Sequence, residues 1–494
     1  MVRPLAGMSR VPYKWVVAVV FVFGFFMEIL DTTIVNVALP TLSREFGVGT
    51  SSIEWVVVGY LLSLAVWIPA SGWIGDRFGT KRTFLFAIAV FTIASALCGQ
   101  AHSLNELTLF RVLQGVGGGM MTPVGTAMLF RAFPPEERAK ASTVLVIPTV
   151  MAPALGPVVG GFLVTNASWR WIFYVNVPTG IIAFVFGFLF LRENKEPTAG
   201  PFDLAGFLLS GCGLALILYA LSEGPSKGWV SPQIVVTGTL GVICFGVLTV
   251  VELRKRFPML ALRLFRDRMF RTANLVTLCS YSSFAGFLFI LPLFLQELRG
   301  LSAFDSGLTT FPQAVGAMCS SQLAGRLYPY VGPRRLMVFG LIGASCSVAM
   351  FTVVGLETNL WWIRLLLFVR GVFMAFSFIP LQAATYTTIS RADTGRATAI
   401  YSTQRQVAAA LGVAVLATVL ATATTHFLTG ATGVAATEAA RLSAYHVVFA
   451  VAALIAFIGA IVALLVRDED AAATMRPRRR RAITLPDEEP VVVA

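Results

Sequence analysis

The chain has 494 residues, of which 56% are hydrophobic and only 13% are charged. This balance leaves too little polar surface for a water-soluble protein, so it excludes a soluble fold and requires lipid as the solvent. The net charge of +13 would suit nucleic acid in a soluble protein, but in a membrane protein the positions of the charges decide what they mean.

Apolar stretches near the length of about 20 residues that spans a bilayer as a helix recur along the whole chain. The first follows a basic segment with Arg3, Arg10 and Lys14, and it contains Glu28 and Asp31. Its length and the further spans behind it predict an uncleaved helix rather than a signal peptide. Fourteen membrane-spanning helices are predicted, at 15–37, 54–72, 83–100, 106–130, 141–163, 171–191, 204–222, 233–252, 272–295, 306–327, 336–355, 362–388, 397–420 and 445–466.

The basic residues predict the orientation of these spans. With the N-terminus in the cytoplasm, most of the 38 Lys and Arg residues fall on the cytoplasmic side, including the clusters at 254–271 and 478–481. We therefore expect a multi-pass protein of the inner (plasma) membrane with both termini cytoplasmic. The basic tail is interpreted as a topology and anionic-lipid signal rather than as a nucleic-acid patch.

A weak internal repeat divides the chain into two halves. The glycine loop of Gly72, Gly79 and the basic pair after it recurs as Gly325, Gly332 and Arg334-Arg335, and Arg111 recurs as Arg370. The fold class predicted is an all-α polytopic membrane protein of two six-helix bundles plus two inserted helices. The predicted segments are a cytoplasmic N-terminus (1–14), a first bundle (15–191), a linker with two extra helices (192–271), a second bundle (272–466) and a basic cytoplasmic tail (467–494).

Five charged residues lie well inside predicted spans: Glu28, Asp31, Arg111, Arg370 and Arg405. A charge at the bilayer centre costs about 3 kcal/mol on insertion scales, so each needs an explanation. Glu28 and Asp31 are three residues apart and share one face of the first helix. Asp31 and Arg111 are predicted at similar depth and can pair. A pair that only fixes helix packing is the alternative to a functional one.

A carboxylate in a low-dielectric site beside an arginine can load and release a proton when its cavity changes exposure. On this basis Asp31 is the predicted proton carrier and Arg111 its modulator. Glu28 is predicted to be a second protonatable or cation-sensing group.

The segment from Gly72 to Arg82 resembles the cytoplasmic loop motif of the major facilitator superfamily, G-x-L-x-D-R-x-G-R-[KR], with Ile74 for Leu and Thr80 for a basic residue. Glycines there allow a tight turn, and an aspartate can face a helix N-terminus or a basic partner. A plain solvated basic loop is the alternative. The second copy has Pro329 where the aspartate would stand. The resemblance implies a conformational latch formed by Gly72, Asp76, Arg77, Gly79, Lys81 and Arg82.

Two further motifs and three short segments extend the resemblance. Arg111, Gln114 and the glycines after them are similar to the fourth-helix motif of the superfamily, whose arginine is tied to proton transfer. Gly156, Pro157, Gly160 and Gly161 resemble the fifth-helix antiporter motif of exporters, with Ala152 in place of its first glycine; plain helix packing is the alternative. The segments 30–40, 169–178 and 404–406 are similar to the fourteen-helix drug:proton antiporter family. Cavity or charge-pair candidates are Arg370, Arg405 and Gln404.

The resemblance implies a major facilitator fold and proton-coupled export of lipophilic or amphipathic drugs or antibiotics by alternating access. Export or flipping of a lipid or an endogenous amphiphile is the second interpretation, and uptake by symport is the third. No phosphate loop for an ATP-driven pump and no nucleophile–base motif for an enzyme occurs in the sequence. The expected partners are a small lipophilic substrate, protons and membrane lipid, without nucleic acid, in a monomer. No metal or cofactor is expected, since the proton motive force supplies the energy.

Overall fold

The computed structural model describes residues 12–48, 50–53, 55–196, 200–429 and 433–475. Within these residues the protein is helical without a strand, and it contains fourteen long helices, numbered α1 to α14 here. The predicted fold class and helix number are confirmed. The helices are α1 (Tyr13–Phe46), α2 (Trp55–Phe78), α3 (Thr80–Gln100), α4 (Leu104–Ala132), α5 (Arg138–Asn166), α6 (Asn176–Phe190), α7 (Leu204–Lys227), α8 (Pro232–Arg254), α9 (Arg268–Leu293), α10 (Ala303–Val331), α11 (Pro333–Ala349), α12 (Leu360–Thr385), α13 (Thr394–Leu428) and α14 (Val434–Ala463).

Several helices are longer than predicted. α1 continues to Phe46 rather than ending at 37, α13 continues to Leu428 rather than ending at 420, and α14 begins at Val434 rather than at 445. Polar residues at these ends extend the helices beyond the hydrocarbon, where apolar patterning gives no signal. The predicted span at 171–191 is divided into the short helix Trp171–Tyr174 and α6.

Hydropathy alone finds only part of this architecture. Eleven helices in the described part of the chain are long and apolar enough to cross a membrane. The other three are α4, α5 and α10, of which α4 and α10 are rich in glycine and polar residues. α4 is buried along most of its length by neighbouring helices, so it needs no apolar face toward lipid.

The two halves pack together along four pairs of helices. α5 contacts α10 and α12 of the second half, while α13 contacts α2 and α4 of the first. The inserted helix α7 packs on α2 and on α13, and α8 packs mainly on α7. The inserted pair therefore lies on the outside of the seam between the two halves.

Hydrogen bonds join the two halves at one end, called the terminal end here because Pro12 and Met475 lie there. Arg131 of the first half donates its Nε–H to the Arg391 carbonyl at 3.3 Å, and Arg391 donates an Nη2–H to the Arg131 carbonyl at 3.0 Å. Arg138 donates to the Tyr386 carbonyl across the same seam. Residues 1–11 of the predicted N-terminal segment (1–14) and residues 476–494 of the predicted basic tail (467–494) lie outside the described residues.

Candidate functional site

A buried ion pair joins α1 to α4 in the first half. Arg111 donates an Nη1–H to Asp31 Oδ2 at 2.6 Å, and both side chains are fully buried. The predicted pairing of these two residues is therefore present. Asp31 lies well inside α1, and Arg111 lies in the first third of α4.

Neutral amides complete the surroundings of the carboxylate. Gln114 donates its Nε2–H to Asp31 Oδ1 at 2.9 Å, and Asn176 at the start of α6 donates its Nδ2–H to the same oxygen at 2.9 Å. Arg111 also donates to Gln114 Oε1 at 2.7 Å, and Asn176 donates to Ser95 Oγ at 3.2 Å. Two helices, α4 and α6, thus supply donors to one negative charge on α1, and its two oxygens accept three hydrogen bonds.

The arginine is held by more than the carboxylate. Its Nε–H donates to the Val56 carbonyl at 3.1 Å, and its guanidinium lies 4.2 Å from the ring centroid of Tyr60 and 5.8 Å from that of Phe173. A buried cation between aromatic faces is strongly oriented. Loss of the charge on Asp31 would leave this guanidinium without its counter-ion, which is a large electrostatic change in a buried site.

Glu28 lies one helical turn before Asp31 on α1, but in a different environment. Thr122 of α4 donates its hydroxyl to Glu28 Oε2 at 2.5 Å, and only 7% of the Glu28 residue is exposed. In the part of the chain that the structure describes, no ion pair reaches this carboxylate. Arg405 of the second half is near enough to interact with it electrostatically.

Arg405 lies between the two halves. Its guanidinium is 5.3 Å from the ring centroid of Phe25 on α1 and 5.7 Å from that of Tyr281 on α9. The neighbouring Gln404 instead donates to the backbone carbonyl of Asn274 within the second half. The structure therefore brings Arg405 toward Glu28 and directs the Gln404 amide elsewhere.

Arg370, the repeat of Arg111, has no carboxylate partner among the described residues. It donates an Nη1–H to Gln313 Oε1 at 2.6 Å, and its guanidinium lies 4.1 Å from the Phe287 ring centroid. Arg370 is predicted as a cavity or charge-pair residue, and its surroundings among the described residues are an amide and an aromatic face. A cavity of about 20 Å³ adjoins Arg370, which is too small for a drug-sized ligand.

The loop residues of the predicted latch lie at the terminal end. Asp76 Oδ1 is 2.7 Å from Arg131 Nη2 at the end of α4. Gly72 packs so closely on α13 that a methyl group in its place would lie 2.5 Å from the Gly395 carbonyl oxygen. Asp76 also faces Gly395, near the N-terminus of α13, where helix dipoles favour a negative charge. Both expected partners of the aspartate, a basic residue and a helix N-terminus, are present.

The other loop residues hold α3 in place. Glu193, which follows α6, accepts the backbone N–H groups of Lys81 at 3.0 Å and Arg82 at 3.3 Å. Gly79 has φ 105°, which favours glycine, and Lys81 Nζ donates to the Phe188 carbonyl at 2.7 Å. Arg77 is exposed.

The glycines of the fifth-helix motif differ in their packing. A methyl group at Gly156 would lie 2.1 Å from Thr33 Oγ1 on α1, and one at Gly160 would lie 3.3 Å from the Ile34 carbonyl oxygen. α5 therefore contacts α1 two residues from Asp31. A methyl group at Gly161 would meet open space, so close packing does not explain that glycine. The Pro157 side chain lies outside the described residues.

Sequence reasoning missed four residues of the site as candidates: Ser95, Gln114, Thr122 and Asn176. Gln114 and Asn176 stand in segments that carried the family resemblance, which was the available signal. Ser95 and Thr122 are ordinary hydroxyl residues within helices, and only the packing of α3 and α4 on their neighbours shows what they contact.

The comparisons with known proteins agree with this architecture. The family model described as Major Facilitator Superfamily matches residues 21–413. A Yersinia pestis (strain Pestoides F) protein named "Putative multidrug resistance protein MdtD" is 36% identical over 453 residues, which cover 90% of this chain and 94% of that protein. The Bacillus subtilis (strain 168) protein named "Uncharacterized MFS-type transporter YhcA" is 32% identical over 407 residues, 82% of this chain and 76% of that protein.

Solved structures give the same fold at low sequence identity. The human organic anion transporter MFSD10 has a TM-score of 0.63 at 15% identity, covering 90% of this chain and 99% of that chain. The proton:xylose symporter XylE has a TM-score of 0.60 at 16% identity, covering 90% of this chain and 94% of that chain. At these identities the likeness establishes the fold alone.

Proposed function

The chain belongs to the major facilitator superfamily, and on that premise we propose that it is a proton-coupled antiporter that exports lipophilic or amphipathic drugs or antibiotics. The observation that carries the proposal is the buried network of Asp31, Arg111, Gln114 and Asn176. A buried carboxylate whose charge balances a buried guanidinium is expensive to keep for packing alone. The relatives named as multidrug resistance proteins support drugs as the substrate class.

In the proposed mechanism Asp31 carries the proton. Protonation removes the negative charge that three hydrogen-bond donors stabilise and leaves Arg111 without a counter-ion, so the network rearranges. The contact of Thr33 with Gly156 transmits movement of α1 to α5, which packs on α10 and α12 of the second half. Glu28, close to Arg405, is the second protonatable or cation-sensing group and links proton loading to the seam between the halves.

We further propose that the terminal end faces the cytoplasm in an inner membrane. The described basic residues of this end, such as those of 254–271, support this orientation through the positive-inside rule. In this state the Asp76–Arg131 pair and the contacts across Arg391 close the cytoplasmic side, so the cargo leaves by the far end. Release of the proton and reopening of the terminal end complete the cycle of a monomer.

A second candidate is export or flipping of a lipid or an endogenous amphiphile. One observation favours it: a cavity of about 400 Å³ with mostly apolar walls lies between the inserted helices and the second half. Ile217 of α7, Phe245 of α8, Leu275 of α9 and Val407 of α13 line it. A molecule entering there would come from the membrane rather than from water.

The test uses Asp31→Asn, which keeps the size of the side chain and removes the titratable group. Ethidium efflux from cells expressing the wild type should stop on addition of an uncoupler. Cells expressing the Asp31→Asn variant should export ethidium no faster than cells without the protein. Glu45→Gln is the control, because it removes an exposed carboxylate from the same helix. In proteoliposomes, movement of substrate across the membrane should drive protons in the direction opposite to the substrate. Undiminished proton-driven efflux by Asp31→Asn would overturn the assignment, and proton movement with the substrate would indicate symport.

A further inference from the structure

Four arginines converge on one cavity at the terminal end of the second half. The cavity has a volume of about 500 Å³ and lies where α9 and α11 begin and α14 ends. Its charged walls come from three separate segments of the chain, so the cluster is a product of the fold rather than of one basic run. The arginines are Arg268, Arg271, Arg334 and Arg467.

Among the described residues, only one of the four arginines forms an ion pair with a carboxylate. Arg268 is paired with Asp470, with an Nη2–Oδ2 distance of 2.9 Å. Asp468 accepts the backbone N–H of Arg334 at 3.0 Å, but in the described residues no carboxylate pairs with the side chain of Arg271, Arg334 or Arg467. Like charges held together repel one another, so an anion bound between them relieves that repulsion.

The floor of the same cavity is apolar. Leu464 and Leu465, at the end of α14, line it and are 46% and 63% exposed. Large apolar side chains exposed beside arginines, at the point where a membrane-spanning helix ends, are typical of the boundary between hydrocarbon and head groups. A small soluble anion would use the arginines and leave this floor uncovered.

We infer that Arg268, Arg271, Arg334 and Arg467 bind the phosphate of an anionic phospholipid, with its acyl chains lying over Leu464 and Leu465. Guanidinium groups suit this role because their planar N–H pairs match phosphate oxygens in bidentate contacts. The lipid would join the ends of α9, α11 and α14, none of which carries the Asp31 network. The inference is therefore independent of proton coupling and of the identity of the cargo.

The experiment measures lipid binding to the full chain, purified in detergent and delipidated, by native mass spectrometry. The probes are phosphatidylglycerol, phosphatidylcholine and glycerol phosphate. The wild type should bind phosphatidylglycerol roughly tenfold more tightly than phosphatidylcholine, as expected from a few arginine contacts with an anionic head group. Glycerol phosphate, which has the anion but no acyl chains, should not displace the lipid at equal concentration.

The variants separate this cavity from general basicity. Arg271→Gln with Arg467→Gln should weaken phosphatidylglycerol binding roughly tenfold. Arg254→Gln with Arg266→Gln removes two exposed positive charges outside the cavity at the same end and should change binding less than about twofold. If the first double variant does not fold, the single variant Arg271→Gln is compared with Arg271→Lys instead. Equal losses in both double variants, equal binding of the two lipids, or full displacement by glycerol phosphate would each overturn the inference.

Discussion

Glu193 and Asp468 hold corresponding positions in the two halves of the protein. Glu193 follows α6, and its Oε1 accepts the backbone N–H of Lys81 at 3.0 Å. Asp468 follows α14, and its Oδ1 accepts the backbone N–H of Arg334 at 3.0 Å. Each carboxylate therefore caps the third helix of its own half, at the N-terminus where the helix dipole favours negative charge.

A glycine before each capped helix makes room for the carboxylate. Gly79 and Gly332 have φ values of 105° and 91°, which favour glycine. A methyl group at Gly79 would lie 2.2 Å from Glu193 Oε1, and one at Gly332 would lie 2.7 Å from Asp468 Oδ1. The repeated glycine loop thus makes room for a helix cap, and a carboxylate from a distant segment of the chain supplies the capping group.

Removal of either cap should destabilise the protein without changing the Asp31 network. Glu193→Ala and Asp468→Ala should each cost about 1 kcal/mol, as is typical of a lost N-terminal cap. The measurement is the thermal unfolding of purified protein in detergent. Glu136→Ala removes an exposed carboxylate at the same end and is the control. A control variant as unstable as the two cap variants would contradict the capping role.

Asn176→Leu should shift the pH dependence of transport upward. The substitution keeps the approximate size and removes a donor to Asp31 Oδ1. Because a charged carboxylate accepts this hydrogen bond more strongly than a protonated carboxyl does, its loss should favour the protonated form, and the half-maximal pH of transport should rise. Transport in proteoliposomes over a pH series measures this shift. Asn36→Leu, at an exposed position of α1, should leave the profile unchanged, and an unmoved profile for Asn176→Leu would count against Asp31 as the proton carrier.

The sequence predicted the ion pair because charges inside apolar spans are rare enough to stand out. Asp31 and Arg111 were identified in this way, whereas Asn176 and Thr122 were not, since neutral polar residues are common in membrane helices. The repeat relates Arg370 to Arg111 but does not give its partner, which in the second half is Gln313 rather than a carboxylate. The sequence shows the type of each side chain, but the contacts of that side chain depend on how the surrounding helices pack.

Asp76→Asn should loosen closure of the terminal end. The variant loses the charge that pairs with Arg131 and faces the N-terminus of α13. A hydrogen bond to a charged group contributes about 1.5 kcal/mol or more, so the open population should rise roughly tenfold. The measurement is the rate at which a maleimide labels Ala399→Cys, a buried position beside Gly72, in a chain whose six cysteines are replaced by serine. Arg254→Gln, at an exposed position of the same end outside the latch, should label at the original rate, and equal rates for Asp76→Asn and the wild type would contradict the latch.

Glu137, between α4 and α5, should make stability depend on pH. The hydrogen bond from Lys14 holds the pKa of this carboxyl below its ordinary range, with Lys140 at 3.1 Å adding to the effect. Because the folded pKa lies below the unfolded one, the stabilisation is fully present above the ordinary carboxyl range and is lost as the pH falls through the lowered folded value. Wild type should therefore unfold at a higher temperature than Glu137→Gln at neutral pH, and the two should converge in acid. Glu136→Gln should follow the wild type throughout, and a gap for Glu137→Gln that persists in acid would show that the lost contact is not electrostatic.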